Sequence, residues 1–211
     1  TTVAGGSTLG IAGCLGLGDS TPNVTLSEPD RDFESTDVPY PAWNEKIPAA
    51  SVPAPLENRE VELRSVDEPS LMTFFYSFCN TVCPVLISTL RNVQTHALNN
   101  GYGDEVAFLP VTFDPERDDA ERLRQYAKKM NVDYDAGNWH FLRPNSKRRA
   151  KRLIQNRYGV RFVRDGEMNG KYMFTHSAMT LLVNSDGYVE RAYRTRSPKA
   201  EQIITDLKKL R

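Results

Sequence analysis

Two cysteines four positions apart, Cys79 and Cys83, stand in the run Phe75-Tyr76-Ser77-Phe78-Cys79-Asn80-Thr81-Val82-Cys83-Pro84. An apolar stretch, Leu71 to Phe75, precedes them and a helical pattern follows. A strand that delivers two thiols to the start of a helix is a place for thiol or metal chemistry. Proline fits the first helical position because its missing N–H is one the helix cannot satisfy anyway. Pro84 therefore places Cys83 at or near a helix N-terminus, where the macrodipole favours thiolate over thiol. Two cysteines within regular helix at this spacing have Cβ atoms roughly 5–6 Å apart, and a relaxed disulfide needs roughly 3.5–4.5 Å. Direct bridging requires Cys79 to lie in the loop or first turn. A soft metal ion held between two sulfurs tolerates the wider gap.

The rest of the chain must hold those thiols. Its 211 residues allow one domain of roughly 150 residues plus a tail, and 39% hydrophobic with 26% charged residues is ordinary for a globular protein. The net charge of zero is unevenly spread: nine acidic and three basic residues up to Glu60 leave 18 acidic and 24 basic beyond it. Three cysteines are too few for a disulfide scaffold.

The third cysteine, Cys14, ends Ile11-Ala12-Gly13-Cys14 in an uncharged, Gly-rich segment, residues 1–18. That tetrapeptide resembles a lipoprotein cleavage box, in which the cysteine becomes the lipidated first residue. With no Met or basic region ahead of it, the segment reads as the remnant of a targeting signal. It implies an extracytoplasmic domain tethered to the outer face of the cell membrane by lipid. Residues 19–58, with seven prolines among acidic and small residues, are expected to form an extended linker, on which Tyr40 and Trp43 could dock to the domain.

From residue 59 to 211 strand and helix patterns alternate. Strands are expected at Glu60–Val66, Leu71–Phe75, Glu105–Phe113 and Trp139–Leu142, and a hairpin at Ala178–Val183 and Tyr188–Tyr193 around Asn184-Ser185-Asp186-Gly187. Helices are expected from Pro84 to Leu98, from Pro115 to Met130, from Asn145 to Tyr158 with Asn145 or Ser146 near the cap, and from Pro198 towards Leu210. This α/β pattern, with its cysteines at a strand-to-helix junction, resembles the thioredoxin order: a central mixed sheet flanked by helices, here with an extended N-terminal tail.

In a sheet of that kind the loop carrying His176, in Phe174-Thr175-His176-Ser177-Ala178, lies beside the cysteine-bearing helix. His96 falls on the polar side of its helix and His140 adjoins Trp139, settings that suit surface or packing roles.

Cys79-x3-Cys83-Pro84, Phe113-Asp114-Pro115-Glu116-Arg117-Asp118, His176-Ser177-Ala178 and Asp186-Gly187 resemble, in order and spacing, the motifs of the Sco/SenC family over about residues 60–211. Its members are thioredoxin-fold, membrane-tethered copper proteins that assist assembly of the binuclear copper centre of cytochrome c oxidase. The resemblance implies Cys79, Cys83 and His176 as copper ligands, with Asp114 an auxiliary residue in redox or copper handling; a role for Asp114 in capping a helix from Pro115 stands equally. The family's usual Cys-Pro-x-x-Cys-Pro is broken, since Asn80 replaces the first proline. The donor set agrees with the resemblance: two thiolates and an imidazole suit Cu(I), with Cu(II) a further candidate, and a structural zinc would call for a fourth protein ligand.

The expected function is a metallochaperone delivering copper to the copper-bearing subunit of cytochrome c oxidase, with a thiol reductase as a further partner. The alternative is an extracytoplasmic thiol-disulfide oxidoreductase using Cys79 and Cys83 as a redox pair; against it stand the x3 spacing and the imidazole at 176. A thiol peroxidase would need only one cysteine. The basic run Lys147-Arg148-Arg149-Lys151-Arg152 reads as a solvated helix face or a dock for an acidic partner, not a nucleic-acid site.

Overall fold

The computed structural model describes Thr1 and residues 23–211. The lipidation box around Cys14 lies outside the described residues.

The centre is a four-stranded sheet in the order β4-β3-β7-β8, formed by β3 (Ser70–Phe75), β4 (Ala107–Thr112), β7 (Thr180–Val183) and β8 (Val189–Tyr193). β3 and β4 pair in parallel, while β3–β7 and β7–β8 are antiparallel, so the sheet is mixed as expected. All residues of β3, β4 and β7 are buried, which is why these segments read as unbroken apolar runs.

The parallel pair needs a crossover, supplied by α1 (Val82–Asn99). Its buried positions Leu86, Ile87, Leu90, Val93 and Ala97 recur at helical spacing. Its start differs from the expectation: the helix begins at Val82, making Cys83 the second helical residue and Pro84 the third. Proline is accommodated there because no first-turn N–H has an intrahelical acceptor. On the other side α4 (Ala200–Leu207) packs along α1, and Thr89 Oγ1 donates to the Pro198 carbonyl at 3.1 Å.

The helix expected from Pro115 begins only at Ala120, giving α2 (Ala120–Lys129), because Asp119 accepts from the Arg122 N–H at 2.8 Å and caps it. The helix expected at 145–158 is a single turn, α3 (Lys147–Ala150), capped by Ser146 and running into a wider turn through Gln155. The strand expected at Trp139–Leu142 lies along β4 as two isolated parallel bridges, Trp139 to Phe108 and Leu142 to Val111.

Two regions depart further. The expected linker, residues 19–58, is not free chain where it is described: from residue 23 it packs on the domain. Leu26, Tyr40, Ala42 and Ile47 are buried, and β1 (Ser51–Ala54) pairs with β2 (Arg59–Glu62). Proline removes donors, but four of the remaining amides find partners on the outer edge of the sheet. Asn44 N–H donates to the Val189 carbonyl, Ile47 N–H to that of Gly187, and Thr25 and Leu26 N–H to the buried Glu190 carboxylate. A covered sheet edge is also protected from pairing with other chains. Gly159, at φ +66°, is required at this junction, since a Cβ there would lie 2.3 Å from the Pro39 carbonyl oxygen.

The second departure is a hairpin absent from the sequence expectation: β5 (Phe162–Met168) and β6 (Lys171–His176). Its turn residues Asn169 and Gly170 have φ +52° and +72°, the left-handed pair that a two-residue hairpin turn demands. The Asn-Gly dipeptide was the signal in the sequence. The flanking strands add no signal of their own, because β5 and β6 carry charges and show no apolar alternation; none of their residues is buried.

Candidate metal centre

β3 ends at Phe75 beneath the sheet surface, and the chain turns before α1, with Cys79 N–H donating to the Tyr76 carbonyl at 3.2 Å. The turn sits on a buried carboxylate. Asp118 accepts from the Ser77 N–H at 3.1 Å, from Ser77 Oγ at 2.5 Å and from Thr112 Oγ1. Arg122 closes the network, its guanidinium donating to Ser77 Oγ and to the Ser77 carbonyl, both at 2.7 Å. Ser77, Asp118 and Arg122 thus fix the backbone immediately before Cys79. Sequence reading missed this role for them, because a buried Ser–Asp–Arg network leaves no periodic signal.

Cys79, Cys83 and His176 meet above this platform. One donor atom from each, all within 4.8 Å of one another, forms a group able to hold a metal ion. Cys83 Sγ lies 3.1 Å from His176 Nε2, and the Cys83 N–H points at Cys79 Sγ from 3.4 Å. His176 Nδ1 lies 3.1 Å from the Ser177 carbonyl. That oxygen can only accept, so the ring proton belongs on Nδ1 and the Nε2 lone pair faces the sulfurs. The imidazole packs at 5.0 Å against Phe113 and edge-on at 6.4 Å to Tyr76, between ring centroids.

The electrostatics correct one expectation. A thiolate is favoured at Cys79, outside the helix, and not at Cys83 at the helix start. The Cys79 thiol is pulled well below its ordinary range, first by its hydrogen bond with Cys83, against the cost of burial, and further by Thr81. Burial pushes the Cys83 thiol well above that range, and the neighbouring Cys79 sulfur pushes it the same way. The two shifts run in opposite directions, so the pair resists carrying two negative charges, and binding a cation to both sulfurs must expel any proton they hold.

Asp114 does not cap a helix. It is fully buried, accepts from Arg117 Nε at 2.5 Å and from Tyr172 OH at 2.8 Å, and so ties the loop after β4 to the hairpin. Arg117 reinforces the tie, donating to the Tyr172 carbonyl at 2.8 Å and lying 3.5 Å from the centre of the Tyr172 ring. Arg117 and Tyr172 are further residues that sequence reading missed.

His96 meets Tyr102 OH at 2.6 Å and His140 meets Glu57 at 2.9 Å, both remote from the cysteines as expected. The basic run is exposed at Lys147, Arg148, Arg149, Lys151 and Arg152, with Lys147 paired to Glu116.

A sequence model described as SCO1/SenC matches residues 59–211. The chain belongs to the SCO1/SenC family. It is 25% identical over 139 residues to the SCO2-like protein RT0576 of Rickettsia typhi, covering 62% of this chain and spanning only 61% of that relative. Among solved structures it is similar to copper-bound ScoI of Bradyrhizobium japonicum, with a TM-score of 0.63, 21% identity, and coverage of 77% of this chain and 99% of the other. It is also similar to a SCO1/SenC family lipoprotein of Bacillus anthracis (TM-score 0.64, 22% identity, 80% and 95% covered). A third likeness is to BsSco, described as having a disulfide switch and as a member of the Sco family of cytochrome c oxidase assembly proteins (TM-score 0.62, 22% identity, 78% and 92% covered). These likenesses establish the thioredoxin-like fold of the Sco proteins for this chain.

Proposed function

We propose that this SCO1/SenC protein is a copper metallochaperone, holding Cu(I) through Cys79, Cys83 and His176 and delivering it to the binuclear copper site of cytochrome c oxidase. The observation that carries the reading is the convergence of two sulfurs and one unprotonated imidazole nitrogen within 4.8 Å. Two soft anionic donors with one imidazole match Cu(I), and with no fourth His, Cys, Asp or Glu in the group among the described residues the site is a poor structural zinc centre. Copper is cargo here, so an incomplete shell is useful: a partner's ligand can bind before the last chaperone ligand leaves. The copper-bound state of the Bradyrhizobium ScoI and the oxidase-assembly description of BsSco support the metal and the recipient.

Anaerobic titration of the reduced protein with Cu(I) tests the reading. Wild type is expected to take up one equivalent tightly, and His176→Ala to bind at least tenfold more weakly, since first ligands matter no less than the residues that support them. Equal binding by both proteins would refute the ligand set. For location we propose a lipid anchor at Cys14 on the outer face of the membrane, which the lipoprotein description of the Bacillus anthracis neighbour supports. Mass spectrometry of the protein from its native membrane should find a diacylglyceryl-modified Cys14.

The opposed shifts of the two thiols favour a second reading, a thiol-disulfide oxidoreductase. There the Cys79 thiolate attacks a target disulfide, releasing one target thiolate, and Cys83 then displaces the other as its proton passes to His176 Nε2, 3.1 Å away. Rapid turnover of a protein disulfide with Cu(I) binding indifferent to His176 would favour it over the chaperone.

A further inference from the structure

The hairpin does more than deliver His176. β6 runs along the cysteine loop: His176 faces Cys83, Phe174 N–H donates to Tyr76 OH at 3.2 Å, and Lys171 Nζ lies 4.7 Å from the centre of the Phe78 ring. At the far end, where Met168 pairs with Lys171 across the Asn169-Gly170 turn, the Met168 sulfur sits 3.5 Å from the side-chain amide nitrogen of Asn80. Asn80 follows Cys79 directly. Met168 is 42% exposed, so its thioether is not held there by burial in a core. The residue beneath it is the one that replaces a proline in the family pattern, and a proline would have no amide to offer.

Resting on the Cu(I) reading above, we infer that Met168 is a fourth ligand of this site, a thioether that closes over Cu(I) bound by Cys79, Cys83 and His176. Thioethers are among the soft donors that select Cu(I). Unlike the cysteines, a thioether is neutral and loses no proton on binding. The flanking backbone can supply the motion: Gly166 sits at φ +76° where the β5–β6 register shifts, and Gly170 at φ +72° in the turn. Tyr172, bound to Asp114, holds the rest of β6 in place while the tip bends. The bond formed is Cu–S; no electron is transferred and no proton moves. A ligand on a bending tip closes the open side of the shell during carriage and is the first to leave when a partner's donor arrives.

The test uses reduced full-length protein carrying selenomethionine, loaded anaerobically with Cu(I) alone and measured by X-ray absorption at the selenium and copper edges. A Cu–Se shell is expected in the wild-type sequence and is expected to vanish in Met168→Leu, while the Cu–S shell from the cysteines persists. In stopped-flow transfer of Cu(I) to bathocuproine disulfonate, Met168→Leu should release copper about tenfold faster, the lower range for groups that support a metal site. Leucine at an exposed hairpin position keeps the fold, which far-UV circular dichroism checks. A loaded wild type with no Cu–Se shell, a shell that survives Met168→Leu, or unchanged release overturns the fourth ligand and leaves the three-ligand chaperone standing. Failure of wild type to hold Cu(I) at all defeats both.

Discussion

The three candidate ligands come from two regions of opposite character. Cys79 and Cys83 hang from the end of β3, every residue of which is buried; His176 ends β6, of which no residue is buried. The first region is fixed from below by Asp118, Ser77 and Arg122, and from the sides by Phe75 stacked on Tyr126 with ring centroids 5.5 Å apart. The second is a hairpin of its own, separate from the main sheet, joined through Phe113, Tyr76, Asp114 and Arg117. Opening free energies across a fold range from near zero to the global value, with exposed hairpins at the low end. A binding site assembled from a stiff half and a loose half can hold a cation on its sulfurs and surrender it by moving the imidazole.

The largest expected effect tests the stiff half. Phe74 is fully buried in β3, with its ring 5.2 Å from that of Tyr158. Phe74→Ala should cost about 3–5 kcal/mol of global stability, seen in denaturant unfolding. A loss below about 1 kcal/mol would mean the sheet is no stiffer than the hairpin.

Next comes the platform under Cys79. Burial raises the Asp118 carboxyl from an ordinary 3.8 to about 6, despite its hydrogen bonds from Ser77 and Thr112. The folded protein therefore binds a proton there more tightly than the unfolded chain does. That contribution to stability is complete below pH 3.8 and disappears as pH rises through 6. Over this window unfolding free energy should fall by an amount approaching roughly 3 kcal/mol from this group, and Asp118→Asn should remove that part of the slope. Parallel pH profiles for both proteins would show that the carboxylate is already satisfied when charged.

The same contrast explains which elements are legible in the amino-acid sequence. β3, β4, α1, β7 and β8 announce themselves because burial on one or both faces writes an apolar run or a helical period into the chain. The cysteines stand out by spacing and by the neighbouring Pro84, and His176 by its place before β7. The hairpin between residues 162 and 176 carries no such pattern, since a ribbon exposed along its length has no buried face to encode; only Asn169-Gly170 marks it. The helix expected from Pro115 is displaced by the stronger cap at Asp119, and Asp114 goes to the hairpin instead. The packed strap from residue 23 to 50 is hidden by its prolines, which advertise extended chain whether or not its remaining amides find a sheet edge.

A smaller effect should appear where the two regions are bolted together. Tyr172→Phe removes the hydroxyl that donates to buried Asp114 at 2.8 Å and leaves the ring against Arg117. Asp114 keeps its Arg117 bond, so the loss should be about 1 kcal/mol. It should be local, with amide exchange accelerating in β6 while the amides of β3 keep their protection. Equal acceleration in both strands would show that hairpin and sheet open as one unit, and the division into a holding half and a releasing half would fail.

The smallest expected effect lies on the hairpin itself. Val163 in β5 is 58% exposed and pairs across the ribbon with the exposed Thr175. Val163→Thr keeps the β-branched shape that suits a strand and changes one methyl to a hydroxyl already in contact with water. Global stability should move by less than about 0.5 kcal/mol, as for surface substitutions generally, and Cu(I) affinity should stay unchanged, because neither His176 nor Met168 depends on that side chain. If Cu(I) transfer to the proposed oxidase recipient slowed while binding and stability held, Val163 would be covered in the transfer complex, and the exposed face of the loose half would be the surface that meets that recipient.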